Sequence, residues 1–240
     1  MIMHSADEEV LHQAHRIAGM FNHIAPTYDL LNHLLSFGLD KRWRATALRA
    51  ASPQPRDNWL DLAAGSGDMV FAGLKFAPAS NWFAADPSIE LLNGLKRKLP
   101  PGYTVPTILS RAEALPFPDH HFSGVTVAFG VRNFADTRRG LNEVARVLKP
   151  GGRLVILEFH PQAGGSWGGN PLVTLYLHHI LPLIGAAVSG QYKAYRYLSE
   201  SSRNFWTIER MVSELNSVGF STVQYQSLFA KSVILTRAIK

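Results

Sequence analysis

From residue 58 onward, short apolar runs alternate with segments whose apolar positions recur at helical spacing. "NWLDLA" (58–63), "NWFAAD" (81–86), "GVTVAFG" (124–130) and "RLVILEF" (153–159) read as strands, since β-branched and aromatic residues suit a pleated, buried surface. Helices are predicted between them at 67–77, from an N-capping Ser88 to Lys98, and at 137–148. "YTVPTIL" (103–109) reads as a further strand, placed toward a sheet edge because its proline has no N–H to offer a neighbour. Ahead of this alternation, three short helices are predicted at about 8–18, 27–36 and 40–50. The two prolines of "SPQPRD" (52–57) close that region.

Near the end, "STVQYQSLF" (221–229) and "SVILTRAI" (232–239) are separated by only Ala230 and Lys231. So short a gap permits a hairpin but no parallel crossover. The pattern predicts an open α/β layer, parallel except for its final strand, with ligands gathering at the carboxyl ends of the strands. One helix, predicted at 207–218, suffices for the last crossover, so residues 160–206 are surplus. They hold a glycine-rich loop, "AGGSWGG" (163–169), an apolar segment (171–188) and an aromatic run, "YKAYRYL" (192–198). Insertions of this kind often build lids. The chain therefore divides, as one domain, into a helical cap (1–51), a ligand-binding core (52–159), a lid or substrate insertion (160–206), and a final helix with the terminal strand pair (207–240).

Composition narrows the function. Apolar content of 46% and charged content of 18% describe a packed domain. A net charge of +6 suits an acidic partner such as an anionic bilayer or nucleic acid. The basic residues are scattered, however, and the tightest groups, Lys96-Arg97-Lys98 and Arg138-Arg139, read as solvated helix faces, so nucleic acid is not expected. Without cysteine there is no disulfide and no thiolate metal site. The first twenty residues carry an acidic run and no continuous apolar core, which gives no secretory signal and points to the cytoplasm. Segment 171–188 contains His178, His179 and Pro182 and falls short of the ~20 apolar residues a spanning helix needs.

The chemistry begins at "LDLAAGSGD" (60–68), where Asp61 lies in the first strand and Gly65, Ser66 and Gly67 form the turn after it. Glycines let a ligand approach the backbone where a Cβ would collide. A dinucleotide fingerprint would need Gly or Ala at position 70, which is Val70. Asp86, ending the next strand, is placed to accept both hydroxyls of a ribose. A glycine turn with a ribose acid but no third glycine resembles class I S-adenosylmethionine (SAM)-dependent methyltransferases. That fold is a mostly parallel doubly wound sheet with an antiparallel last strand, here with an N-terminal helical cap and a helical insertion before the last two strands.

Four further stretches narrow the resemblance: "YDLLNHLLSFGLDKRWR" (28–44), "RAEALPFPD" (111–119), "FGVRNFADTRRGLNEVARVLKPGGRLVILEF" (129–159) and "YRYLSESSRNF" (195–205). Together they are similar to the quinone-biosynthesis C-methyltransferases, which methylate demethylmenaquinol or the corresponding ubiquinone precursor. The likeness runs from about Phe21 to the C-terminus. It implies SAM as cofactor and no metal, with Asp61, Gly65, Ser66, Gly67, Asp86, Pro87, Arg111, Ala112 and Ala128 at the cofactor. Two positions depart from the family pattern. Arg111 stands where Asn or Asp is usual, and a guanidinium has donors only, so contact with the adenine amino group would fall to its backbone or aliphatic stem. Ala128 stands where some relatives have Ser.

Methylating an aromatic carbon needs an electron-rich ring, which a hydroquinone becomes once a hydroxyl is deprotonated. An enzyme helps by stabilising the phenolate and by holding carbon and methyl at near-attack distance. Arg132 and Asn133, just past the end of a central strand, are assigned that role: the arginine as a permanent cation facing the phenolate, the amide orienting the other hydroxyl or a water. The structural alternative is that Arg132 merely pairs with Asp136. Tyr28, Asp29, His33 and Phe129 are candidate substrate residues, and Tyr28, Asp29, His33, His23 and Asp68 are all open as the base. The prenyl tail calls for an apolar route. Leu175, Leu177, Ile180, Leu181, Leu183 and Ile184 would provide a groove or a membrane-facing surface, or else a helix packed into the core. The expected partners are a prenylated quinol and, reversibly, a membrane surface, with a homodimer left open. Competing readings are a methyltransferase acting on a sterol, tocopherol precursor or other small molecule, and a pathway scaffold that has lost cofactor binding.

Overall fold

The apolar runs become seven strands: β1 (Asn58–Leu62), β2 (Asn81–Asp86), β3 (Thr107–Leu109), β4 (Phe122–Ala128), β5 (Leu148–Phe159), β6 (Thr222–Phe229) and β7 (Val233–Ile239). In this computed structural model, which describes residues 5–161, 175–229 and 231–240, they form one sheet in the order β3-β2-β1-β4-β5-β7-β6. All pairings are parallel except those of β7, which runs antiparallel to both β5 and β6. The central strands β1 and β4 are almost wholly buried, as expected of parallel strands covered on both faces. β6, at one edge, keeps most of its residues in water. β3 forms the other edge but is shorter than expected. It starts only after Pro106, whose carbonyl still accepts from the Ala84 N–H at 2.9 Å.

Helices α3 (Asp68–Phe76), α4 (Ile89–Lys98), α5 (Thr137–Val147) and α8 (Ile208–Ser217) provide the crossovers. α6 (Leu181–Ser189) and α7 (Tyr192–Arg203) belong to the insertion and follow a π-turn at Tyr176–Ile180. The loop 163–169 lies outside the described residues. Two tryptophans lock the sheet to its helical layer: Trp59 and Trp82 are buried and stack at 5.8 Å. Gly124 and Gly73 make the room, since a Cβ at either position would come within 2.2 Å of the facing indole.

The N-terminal region differs from the sequence expectation. The helices expected at 8–18 and 27–36 are one helix, α1 (Ser5–Leu35), with Pro26 inside it, followed by α2 (Leu39–Ala51). Ile17, Phe21, Ile24, Tyr28, Leu31 and Leu35 recur at spacings of three and four, so the apolar stripe passes Gly19 and Pro26 unbroken. Burial of that stripe outweighs the single helical bond that proline removes. Polar groups fix α1 as well. Asn22 Oδ1 accepts from Ser88 Oγ at 2.6 Å and from the Glu90 N–H at 3.3 Å, and Asp7 pairs with Arg139 at 2.7 Å.

Candidate active site

At the carboxyl ends of the strands two non-glycine residues adopt left-handed backbone, Ala63 (φ 56°) after β1 and Phe129 (φ 58°) after β4. Such conformations cost about 1–2 kcal/mol each and persist where the surroundings over-determine them. The two turns press together, for a Cβ on Gly130 would lie 2.5 Å from that of Ala63. The glycine turn follows, with Gly65 at φ 55° and Gly67 at φ 95°. Between these loops and α1 opens a crevice of about 60 Å³ whose walls include Gly65, Asp86, Pro87, Arg111, Ala112 and Ala128.

Asp86 is held in position by the loops themselves: Oδ2 accepts from the Gly65 N–H and Oδ1 from the Ser88 N–H, both at 2.8 Å. Each oxygen keeps a lone pair, and burial raises the carboxyl pKa to about 6 against those two hydrogen bonds. A ribose diol, with two donors, satisfies such a carboxylate. Asp61 sits deeper. Its Oδ1 accepts from Thr126 Oγ1 at 2.8 Å, while Oδ2 is buried with no partner among the described residues. Burial lifts its pKa to about 7. Arg111 presents more than its stem, because its Nη1 is buried, unpartnered among the described residues, and belongs to a residue lining the crevice. An adenosine carrying a charged tail fits this donor and acceptor set, and the orphaned Asp61 oxygen is the observation that asks for the tail. Ser66 Oγ donates to Asp29, which also takes Lys98 Nζ at 2.7 Å. Asp29 thereby ties α1 to the glycine turn.

A second cavity, about 280 Å³, lies on the other side of Tyr28 and Phe129, which wall both spaces. Its lining is largely apolar, with Leu35, Leu39, Trp43, Phe159, Leu198 and Phe229. Trp43 sets its floor, its ring centroid 6.1 Å from that of Phe129 and 6.0 Å from that of Phe229. Burial raises the Tyr28 pKa above its ordinary value.

Arg132 lines this cavity and Asn133 the crevice. The short 3-10 turn Val131–Asn133 thus sends two sequence neighbours to different chambers. The partner of Arg132 is neither solvent nor Asp136. Asp136 caps α5 by accepting from the Arg139 N–H at 3.0 Å. Arg132 Nη1 instead donates to Glu158 Oε1 at 2.6 Å and to the Phe129 carbonyl at 2.7 Å, leaving Nε buried and unpartnered among the described residues. Glu158 is fully buried in β5; a lone acid inside "RLVILEF" was the signal for it. Asn133 Oδ1 accepts from the Tyr197 hydroxyl at 3.3 Å.

His33 is not among the residues lining the large cavity; its Nδ1 lies 2.7 Å from Asp40 Oδ2. Asp40 also takes Ser36 Oγ and Arg44 Nη1, each at 2.8 Å, and Arg44 Nη2 reaches Asp68 at 3.4 Å. Asp40 and Asp68 thus share the Arg44 guanidinium, a residue the sequence reading passed over although it stands one helical turn from Asp40. His23 is exposed and bonds the Gly19 carbonyl at 2.7 Å. Of the insertion residues, Leu175, Ile180 and Leu183 are exposed, and Ile184 packs against the α1 stripe. The side chains of Leu177 and Leu181 lie outside the described residues.

Fold and site together define a SAM-dependent methyltransferase of class I architecture. A solved SAM-dependent methyltransferase from Aquifex aeolicus superposes with a TM-score of 0.58 at 16% identity, over 82% of this chain and 88% of its own. Residues 9–240 match the model of the ubiE/COQ5 methyltransferase family, and the chain belongs to that family. A demethylmenaquinone methyltransferase of Thermus thermophilus is 44% identical over 87% of this chain and 94% of its own length. A ubiquinone/menaquinone biosynthesis C-methyltransferase of Burkholderia mallei is 37% identical over 93% and 91%.

Proposed function

We propose that this chain methylates a ring carbon of a prenylated hydroquinone, with demethylmenaquinol as first substrate and menaquinol as product. The observation that carries the reading is the large apolar cavity, which shares Tyr28 and Phe129 with the cofactor crevice and bears Arg132 in its wall. The names of the relatives support the quinol, and the 37% identical relative keeps the ubiquinone precursor as second substrate. When bound, the cofactor supplies an electrophilic methyl group on sulfonium.

The chain's own residues do the rest. Asp86 takes the ribose hydroxyls, and Tyr28 with Phe129 sets how closely a flat ring can approach the crevice. Arg132 carries out its role as half of a buried ion pair. Because Glu158 cancels its charge, it stabilises a phenolate oxygen by a directed hydrogen bond from a locked guanidinium rather than by the field of a free cation. Asn133 lies across the partition and acts from the crevice side.

For the tail, no helix among the described residues is long and apolar enough to cross a membrane. Leu30, Leu34 and Phe37 are exposed, and the Phe37 ring contacts Tyr176, which borders the large cavity. We include in the proposal that this face rests reversibly on an anionic bilayer, which suits the net charge of +6. The test is a competition assay offering reduced short-chain demethylmenaquinone and the reduced demethyl ubiquinone precursor together. Methyl transfer to the naphthoquinol in excess is expected; transfer to neither by cofactor-loaded protein would overturn the proposal.

A further inference from the structure

A small recess continues from the cofactor crevice, sharing Tyr28, Ala63, Gly65 and Ala128 with it. Asp61 and Arg44 line opposite chemical sides of it, one acidic and one basic. Each carries an unsatisfied atom: Asp61 Oδ2 and Arg44 Nε are buried with no hydrogen-bond partner among the described residues. Burying an unsatisfied polar atom costs ~1–3 kcal/mol, more when it is charged. Two of opposite sign facing one recess point to a ligand with both an acidic and a basic end.

Direction along the crevice says which ligand end arrives there. Arg111, Ala112 and Asp86 line the crevice but not the recess, whereas Gly65 and Ala128 line both, and the Gly65 N–H bonds Asp86 at 2.8 Å. With the ribose on Asp86, the base lies toward Arg111 and the amino-acid end of the cofactor toward Asp61 and Arg44. We propose that Arg44, on α2, anchors the carboxylate of that amino-acid end, opposite Asp61, which receives its ammonium. The looser of Arg44's two ion pairs, 3.4 Å to Asp68, is the one a ligand carboxylate replaces, while the 2.8 Å bond to Asp40 keeps the guanidinium in place. Arg44 also lies near Asp61 electrostatically, holding down a pKa that burial raises.

This inference rests on the cofactor reading, and the experiment separates the two. Three ligands share adenosine and the thioether: S-adenosylhomocysteine, its decarboxylated analogue, and 5′-methylthioadenosine, which lacks the amino-acid end. Calorimetry on the wild type is expected to give ~30-fold weaker binding once the carboxylate is removed, the size of a lost charged hydrogen bond. Arg44→Met is expected to weaken S-adenosylhomocysteine by a similar factor and the other two by less than about twofold. Arg44→Lys, which keeps the cation and so the pair with Asp40, is expected to fall between. Equal wild-type affinity for the homocysteine form and its decarboxylated analogue overturns the proposal, and needs no variant to fold. So does an Arg44→Lys or Arg44→Met protein, folded by circular dichroism, that weakens all three ligands alike. Failure of the wild type to bind even methylthioadenosine would instead sink the cofactor reading.

Discussion

The crevice and the apolar cavity share Tyr28 and Phe129 and differ in almost everything else. The crevice is cut into the ends of adjacent parallel strands, so consecutive strand-to-helix turns supply its polar groups, with backbone N–H groups pinning Asp86 at 2.8 Å. The cavity is walled largely by helices that precede the sheet and by the insertion between β5 and β6, and its Arg132 guanidinium is neutralised by a buried partner on β5, 2.6 Å away. One space binds by directed polar contacts. The other offers mainly apolar area, with Arg132 in its wall locked in place. A reaction that joins a charged cofactor to a greasy quinol needs both, side by side.

Mutation can break that division, and the largest effect falls on its polar device. Arg132→Ala leaves Glu158 buried and unpaired, so a loss of about 3–5 kcal/mol is expected in urea unfolding, and its lost turnover would say little about chemistry. Arg132→Lys keeps the charge but not the fork. It is expected to lower kcat at least a hundredfold with S-adenosylhomocysteine affinity unchanged, and near-normal kcat would remove Arg132 from the reaction.

On the crevice side, Asp86→Ala is expected to cost ~10–100-fold in S-adenosylhomocysteine affinity, since it removes two charged hydrogen bonds to the ribose; calorimetry reads it. Trp43→Ala opens the floor of the other space. A roughly tenfold rise in quinol KM with cofactor affinity held is the expected mirror image. If either change moved both affinities, the two spaces would not be separate sites.

Protons provide a gentler probe. Asp61 and Asp86 have folded-state pKa values of about 7 and 6, above those of an unfolded chain. Their ionisation is disfavoured in the fold, so ligand-free stability is fullest below the unfolded value and falls as pH rises through 6 and 7. Ligand binding wants the ionised forms and runs the other way, with S-adenosylhomocysteine affinity rising from pH 5 to 8. Thermal melts with and without ligand across that range would show the opposing slopes. The smallest effect belongs to the exterior: Leu34→Ser with Phe37→Ser is expected to weaken sedimentation with anionic vesicles several-fold and leave cofactor affinity untouched.

The same division explains what could be read in advance. That Gly65, Asp86 and Ala112 line one crevice was legible because they stand at or just past the ends of strands with an evident pattern, and strand ends fix where such residues go. The pairing of β6 and β7 was legible from a gap too short for a crossover. The cavity was not, because Leu35, Trp43, Phe159, Leu198 and Phe229 meet only in three dimensions. Glu158 and Arg44 were missed for a related reason: their partners, Arg132 and Asp68 respectively, are distant in sequence, although a charge within a buried strand and the Asp40–Arg44 pair one helical turn apart were both visible hints. The two helices expected at 8–18 and 27–36 proved to be one, because the apolar stripe of α1 runs straight through the segment between them, Pro26 included.

That proline has a consequence for timing. α1 roofs the crevice and is tied down on either side of Pro26, by Asn22 to the start of α4 and by Asp29 to Ser66 and Lys98. The Asp29–Lys98 tie is about one-third exposed at both ends, a tie that salt loosens. Of the ties beside Pro26 that hold this helix over the crevice, it is the one salt is expected to weaken, so S-adenosylhomocysteine dissociation followed by stopped flow is expected to quicken as ionic strength rises.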